Sequence, residues 1–227
     1  MLLCTLKDGA SSLRFLSDIE PTWKEPSQER SRERVAAILS AARELIAEGG
    51  LASLKMGLLA ERAGVPIGTI YQFFPDKDAV IGCIFANQME EALQDVYQAC
   101  HPEGELEAPA VAATSILTAK YTEWRADPVM AEIWSIAQAN RSLRGLTRAA
   151  TQATAEIKTQ ALLPFLKPEV SEARLRRVLF MVSDLYDAAI YAALDFSEDE
   201  AAAFMDEYAT MVSSHIDSLL RTSATRR

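Results

Sequence analysis

The sequence predicts an all-α protein with a small N-terminal helical unit and a larger C-terminal helical bundle. Apolar residues recur at intervals of three and four along most of the chain, and this spacing is typical of helices that bury one face. No run alternates apolar and polar residues convincingly, and no segment is repeated, so neither a sheet nor a repeat architecture is predicted. The first long helical pattern contains Val35, Ile38, Leu39, Ala42 and Leu45.

The N-terminal unit is predicted to hold three helices that lead into a fourth. Gly49-Gly50 is expected to end the first helix, because glycine readily adopts the left-handed conformation found after helices. Pro66 suits the first turn of the third helix, where its missing N–H leaves no hydrogen bond unmade. Pro75 and Asp76 break the chain before the fourth helix. The predicted spans are 31–49, 56–63, 67–73 and 77–100.

A tail is predicted before this unit and further helices after it. Residues 1–28 are expected to form a flexible tail, because Asp18, Glu20 and Pro21 interrupt its short apolar pieces. Trp23 leaves open the alternative that the tail packs on the first helix or reaches toward a partner. The remainder of the chain is predicted to form helices over residues 108–126, 128–140, 142–166, 171–196 and 198–221.

The composition narrows the class of protein. A chain of 227 residues can bury a sizeable core, and no apolar run approaches the roughly 18 residues of a membrane span, so no membrane partner is expected. The few cysteines and histidines are spaced too widely for a disulfide framework or a metal site. Cysteines that stay reduced, together with the lack of a signal-peptide pattern, predict a cytoplasmic protein. No metal or other cofactor is expected. These residues are Cys4, Cys83, Cys100, His101 and His215.

The charge is distributed unevenly along the chain. The net charge of -9 would by itself disfavour a nucleic-acid partner. Residues 30–77, however, contain seven basic and five acidic side chains, so this unit carries +2 and the rest of the chain carries -11. Affinity for DNA arises from local contacts with phosphates, and the total charge therefore does not exclude DNA binding.

The stretch from Leu58 to Phe74 has the pattern of a helix-turn-helix. Ala60 is small where two helices must approach closely, and Gly64 can take a positive φ in the tight turn. In such a motif the second helix enters the major groove of DNA. The angle between the helices is expected to be fixed by Leu59, Ala63, Val65 and Ile70.

The run from Val35 to Val80 resembles the DNA-binding domain of the TetR (tetracycline repressor) family. The features that carry the resemblance are Gly68-Thr69-Ile70-Tyr71, Phe73-Phe74 and the closing Lys77. The N-terminal position of the motif and the helical remainder also agree with that family. The resemblance implies a three-helix DNA-binding domain over residues 29–76 and a ligand-binding and dimerisation bundle over 77–222. A short C-terminal tail would follow at 223–227.

The resemblance and the side-chain chemistry together predict contacts with the DNA backbone. Thr69 and Tyr71 carry hydroxyls that can bond phosphate oxygens, and Lys77 adds charge near the start of a helix. One departure concerns the start of the second helix, where the family usually has a Ser or Thr cap. Here Gly57 removes a side chain that often reaches DNA, and Lys55 is expected to supply a phosphate contact instead.

Base contacts are predicted from the same short helix. Pro66, Ile67 and Gln72 occupy positions where family members touch bases, and Gln72 can pair with adenine in the major groove. Gly68 allows the backbone to approach the DNA closely. Phe73 is included in the predicted set, although a role in packing the domain remains open for it.

The resemblance implies a homodimer, and the last two long helices are predicted to form its interface. Their apolar stripes could assemble a four-helix bundle from two subunits, or they could pack only within one subunit. The predicted interface residues are Val178, Val182, Leu185, Ala189, Phe204, Tyr208, Met211 and Val212.

A pocket for a small apolar or aromatic effector is predicted in the preceding helices. Large apolar side chains would line it and polar groups would orient the ligand. A filled core is the alternative for each of these residues. The predicted lining is Phe85, Met89, Leu93, Tyr97, Ile116, Lys120, Tyr121, Trp124, Ile133, Trp134 and Asn140.

The predicted function is a transcriptional regulator, with repression inferred from the resemblance. It would bind a palindromic operator in double-stranded DNA as a homodimer and leave it when an effector binds. The alternative is a small-molecule-binding helical protein whose degenerate head recognises no specific operator. An enzyme is not expected, because the sequence shows no nucleophile–base pair, metal cluster or phosphate-binding loop.

Overall fold

The described part of the chain is helical. The computed structural model describes residues 23, 24, 26, 28–101, 114, 121–123, 125–137 and 140–221. Within these ranges the helices are joined by turns and short connections without any strand, and one isolated bridge joins Leu166 to Leu220. The predicted all-α class is confirmed. Most of the predicted N-terminal tail and of the helix predicted over 108–126 lies outside the described residues.

The helices follow the predicted order with small differences at their ends. Pro164 has no N–H to continue α6, so that helix ends at Leu162 and a single 3₁₀ turn, Leu163–Phe165, follows. Helix α7 ends at Ala193, three residues before the end of its predicted span. The bounds are α1 Glu29–Gly49, α2 Met56–Ala63, α3 Ile67–Phe73, α4 Lys77–Cys100, α5 Pro128–Ala137, α6 Arg141–Leu162, α7 Glu172–Ala193 and α8 Glu198–Leu219.

Glycines end α1 and α2 as the sequence predicts. Gly50 has a φ of 67°, and its N–H donates to the carbonyl of Ile46 at 2.7 Å. Gly64 closes α2 in the left-handed conformation, with a φ of 65°. Ser53 donates its hydroxyl to the carbonyl of Gly50 at 2.6 Å. Lys55 therefore stands at the N-cap position of α2, and its side chain makes no capping hydrogen bond.

The described residues form two compact units. The first combines the residues up to 90 with Asp127–Thr147, so it contains α1 to α3, the start of α4, α5 and the first turns of α6. Its core is apolar, and the rings of Phe85 and Trp134 pack with centroids 5.4 Å apart. The predicted boundary between residues 76 and 77 concerns functional domains, and it stays a prediction.

The chain just before α1 contacts other parts of the first unit. The N–H of Lys24 donates to the carbonyl of Phe73 at 2.8 Å. The ring of Trp23 lies so close to Gly82 in α4 that a Cβ at Gly82 would be 3.3 Å from it. The described end of the predicted tail therefore packs on α4 and on the end of α3.

The second unit contains the end of α4, most of α6, and α7 and α8. Arg176 in α7 pairs with Glu156 in α6, and Arg148 lies over the ring of Phe180 at 5.9 Å from its centroid. These contacts place one side of α7 against α6. Ser197 and Glu200 form a capping box that begins α8.

Candidate functional site

The helix-turn-helix is held by a small apolar core and one backbone contact. Leu59 and Ala60 in α2 and Ile70 in α3 are buried. The N–H of Val65 donates to the carbonyl of Ala60 at 3.1 Å across the turn. Gly64, in its left-handed conformation, makes this close connection possible. These residues fix the direction of α3 relative to α2.

One face of α3 is exposed. Ile67 and Tyr71 are four residues apart on this face and are 47% and 51% exposed. Gln72 is also exposed. No other side chain lies within 4 Å of where a Cβ would stand at Gly68. The predicted residues Pro66, Ile67, Gly68, Tyr71 and Gln72 are therefore accessible together, and Thr69 is half-buried beside them.

Phe73 is the exception in the predicted DNA-binding set. Its side chain is only 9% exposed and Phe74 is fully buried, so both rings pack inside the first unit. The alternative role in packing therefore describes Phe73 better than a base contact does.

Lys55 and Lys77 are exposed on either side of the motif. Neither forms an ion pair within the described residues. Lys77 is the first residue of α4, where the carboxylate of Asp76 accepts the N–H of Ala79 at 2.8 Å. Arg62, in contrast, donates two hydrogen bonds of 2.8 Å to Glu48. The two lysines thus keep their charge available for an anion, whereas Arg62 is already neutralised.

A second exposed surface lies on α7 and α8 and is apolar. Met181 and Leu185 project from one side of α7, and Phe204 and Met211 project from one side of α8. Met211 is 59% exposed. We call these four residues the α7–α8 apolar face. Large exposed apolar side chains of this kind mark surfaces that bind another protein or a ligand.

The predicted interface residues divide between this face and the interior. Leu185, Phe204 and Met211 are exposed, whereas the hydroxyl of Tyr208 donates to the carbonyl of Val182 within the same protomer. The sequence pattern did not single out Met181, because a helix that is apolar on two sides has no single periodic stripe. The predicted interface residues that are buried within the protomer are Val178, Val182, Ala189, Tyr208 and Val212.

The predicted pocket residues are divided between the two units. Phe85, Met89, Ile133 and Trp134 are buried in the first unit. Asn140 begins α6, where its side-chain oxygen accepts the N–H of Leu143 at 3.2 Å.

The remaining predicted pocket residues belong to the second unit or are not described. Leu93 and Tyr121 are buried, and the hydroxyl of Tyr121 accepts a hydrogen bond of 2.7 Å from Arg125. The ring of Tyr97 stacks on His101 with centroids 4.3 Å apart. Ile116, Lys120 and Trp124 lie outside the described residues. The lining of a pocket therefore stays a prediction.

A group of buried polar residues in the second unit was not predicted from the sequence. Lys158 in α6 is 4% exposed, and burial lowers the pKa of its ammonium. Asp187 in α7 accepts a hydrogen bond from Thr151, and its pKa is raised to about 7 by burial and by the nearby carboxylate of Asp184. Burial also raises the pKa of the Cys100 thiol, which favours its protonated, less nucleophilic form.

The described residues contain no group of three or more histidine, cysteine or acidic side chains placed to hold a metal ion. None of the described helices combines the length and the apolar character that crossing a bilayer requires.

Family models match both parts of the chain. The model described as bacterial regulatory proteins of the tetR family matches residues 38–82. The model described as the tetracyclin repressor-like C-terminal domain matches residues 107–218. The first match contains the whole helix-turn-helix, and the second contains α5 to α7 and most of α8.

Curated relatives are similar over a limited region. The HTH-type transcriptional repressor KstR of Rhodococcus jostii is 36% identical over 64 residues, which are 28% of this chain and 30% of KstR. The KstR of Mycolicibacterium smegmatis is 42% identical over 53 residues, which are 23% of this chain and 26% of that protein. The chain thus spans less than a third of the length of the curated relatives it matches.

Solved structures share the fold over most of the chain. A TetR transcriptional regulator from Rhodococcus sp. RHA1 has a TM-score of 0.59 and 22% identity, and the match covers 82% of this chain and 97% of that one. RolR in complex with resorcinol has a TM-score of 0.56 and 17% identity, with 86% and 99% covered. Together with the two family models, these similarities establish that the chain belongs to the TetR family of bacterial transcriptional regulators.

Proposed function

We propose that this protein is a DNA-binding transcriptional repressor that is released from its operator by a small molecule. The observation that carries the proposal is the exposed face of α3, which follows the turn of a helix-turn-helix. It is flanked by Lys55 and Lys77, which form no ion pair with any described residue. Membership of the TetR family and similarity to the KstR repressors support repression.

The side chains on this face suit distinct roles in DNA recognition. The hydroxyls of Thr69 and Tyr71 would bond phosphate oxygens, and Lys77 would add charge to the same contact. Gln72 would pair with an adenine in the major groove, and Ile67 would meet a thymine methyl group. Lys55 would supply the phosphate contact that a capping residue of α2 does not provide.

A homodimer would present two such faces to one operator. The α7–α8 apolar face supports this proposal, because the same surface on two copies can bury its apolar residues across a two-fold axis. Two helix-turn-helix motifs related by that axis would bind a palindromic site, with half-sites about 34–36 Å apart or a multiple of that distance. An operator-bound dimer would act in the cytoplasm, where the chromosome is.

Contacts within the first unit offer a route from an effector to the DNA-binding helices. Arg43 in α1 pairs with Asp127, which precedes α5. Glu132 in α5 accepts the N–H of Leu51, just after α1, at 3.4 Å. A displacement of α5 would therefore act on the end of α1. Such coupling requires two states of the protein that DNA and effector bind with different affinities.

A second candidate function is a small-molecule-binding protein that reads no specific operator. The start of α2 favours it, because Lys55 makes no side-chain capping bond and Gly57 presents no side chain. This candidate predicts only weak, non-specific attraction to DNA.

Electrophoretic mobility shift with DNA that flanks the protein's own gene distinguishes the two candidates. A repressor should form a discrete complex that survives competition by unrelated DNA, and Lys77→Ala should weaken that complex. Lys167→Ala removes a lysine from the second unit and serves as the matched control. If the protein binds every fragment equally well and unrelated DNA displaces each of them, the second candidate is favoured.

A further inference from the structure

Lys158 is a buried lysine without a counterion in the described part of the chain. It forms neither an ion pair nor a hydrogen bond with a described residue. The titratable groups that act on its ammonium are the thiol of Cys100, at the end of α4, and the carboxyl of Asp187, in α7. An ammonium that leaves water without a partner destabilises the folded state, and an anion bound beside it would remove this cost.

Other polar groups lie on α6 and α7 near Lys158. Thr151 lies seven residues earlier in α6, two turns away on the same side of the helix, and donates to Asp187. Ser183 lies one turn before Asp187 in α7, and its buried hydroxyl has no hydrogen-bond partner among the described residues. The hydrogen bond from Thr151 to Asp187, and the effect of Asp187 on the ammonium of Lys158, bring these three side chains together between α6 and α7.

We propose that Lys158 binds the carboxylate of an organic acid and that this acid belongs to the effector class of the protein. The inference rests on the proposed function, in which the C-terminal bundle binds the effector. The ammonium would pair with the carboxylate, and the unpartnered hydroxyl of Ser183 would donate to one of its oxygens. The rest of the acid would lie among apolar side chains of the helices.

The charge balance favours a monoanion over a phosphate. Lys158 supplies one positive charge, which a single carboxylate neutralises. Asp187 opposes the ligand less than an ordinary carboxylate would, because its pKa is raised to about 7 and it is partly protonated near neutral pH. A phosphate dianion would bring a second negative charge close to Asp184 and Asp187 with no second cation among the residues that act on Lys158.

Matched acids and amides test the proposal on the full chain without DNA. The probes are benzoate, phenylacetate, hexanoate and decanoate, each compared with its primary amide by isothermal titration calorimetry. We expect at least one acid to bind saturably and its amide to bind at least tenfold more weakly. Lys158→Met should weaken binding of that acid at least tenfold and leave binding of the amide unchanged. Lys167→Met, the control, removes a lysine elsewhere in the unit and should retain acid binding.

Three results would overturn the proposal: no saturable binding of any acid, equal binding of acid and amide, or normal acid binding by Lys158→Met. A second variant, Lys158→Gln, guards against loss of folding and should also lose acid binding. The mobility-shift assay on the same preparations separates the two claims. Specific DNA binding without acid binding refutes only the carboxylate site. Acid binding without specific DNA binding refutes the repressor function and the effector role of the acid, and it leaves Lys158 as a carboxylate site.

Discussion

At the scale of single residues, exposure decides which neighbours in α3 can meet DNA. Tyr71 and Gln72 are exposed, whereas Phe73 is buried although it follows them directly. The sequence predicted the first two from the motif. It left Phe73 open, because whether the last residue of a seven-residue helix points inward depends on the packing of α4, which no local pattern records.

The Tyr71→Ala and Gln72→Ala variants should have different signatures. Loss of the Tyr71 hydroxyl should weaken binding to all DNA sequences similarly, because it removes a phosphate contact. Loss of the Gln72 amide should relax preference at one base position, with a cost of roughly 1–3 kcal/mol there. Fluorescence anisotropy with a set of single-base operator variants measures both profiles. A position-specific effect of Tyr71→Ala would contradict its assigned role.

The carboxyl of Asp187 should make stability depend on pH. Its pKa is raised from 3.8 to about 7, so the folded protein holds a proton that the unfolded chain has already released between these values. Stability should therefore fall as pH rises through this window. The free energy of unfolding is measured in urea at pH 5 and pH 8. Between these values, the stability of Asp187→Asn relative to the wild type should rise by on the order of 2–4 kcal/mol. Asp217→Asn, at an exposed site, should follow the wild type.

At the scale of helices, most of the architecture was predictable because chain breaks are local. Gly50, Gly64 and Pro164 end helices through their own backbone preferences, and the structure places ends at each of them. The start of α2 at Met56 was predicted as well, although no side chain caps it: Ser53 bonds the preceding turn, and Lys55 stands at the N-cap position.

Two glycines of α2 should respond to alanine in opposite directions. Gly64→Ala should destabilise the first unit by about 1 kcal/mol, since its φ of 65° strains any residue with a Cβ. Gly57→Ala should stabilise it by roughly 0.5–1 kcal/mol, because Gly57 is helical and its Cβ would meet nothing within 4 Å. Thermal unfolding of both variants checks the signs. A gain in stability from Gly64→Ala would contradict the left-handed turn.

At the scale of the whole molecule, the sequence indicated which helices are apolar but not which side each one buries. Leu185 and Tyr208 were predicted together as interface residues, yet one is exposed and the other bonds within its own protomer. The buried Lys158 was missed for the same reason. Lysine is most often exposed, and only the packing of three helices reveals an exception.

The α7–α8 apolar face should control dimerisation. The double substitution Leu185→Glu with Met211→Glu should shift the protein from dimer to monomer, because carboxylates buried across an interface have no partner there. The dissociation constant of the dimer, measured by sedimentation, should rise at least tenfold. Gln152→Glu adds charge at an exposed position of α6 and should leave the dimer intact. A dimer that tolerates the double substitution would place the interface elsewhere.

Selection of binding sites from random double-stranded DNA tests the central claim most directly. The full chain should enrich one palindromic motif, and two protomers should bind each site with an affinity that falls as salt increases. The Gln72→Ala variant should enrich the same spacing with weaker preference at one symmetric pair of positions. Failure of the wild-type protein to enrich any motif above the starting pool would contradict the account of α3 as a reader of operator DNA.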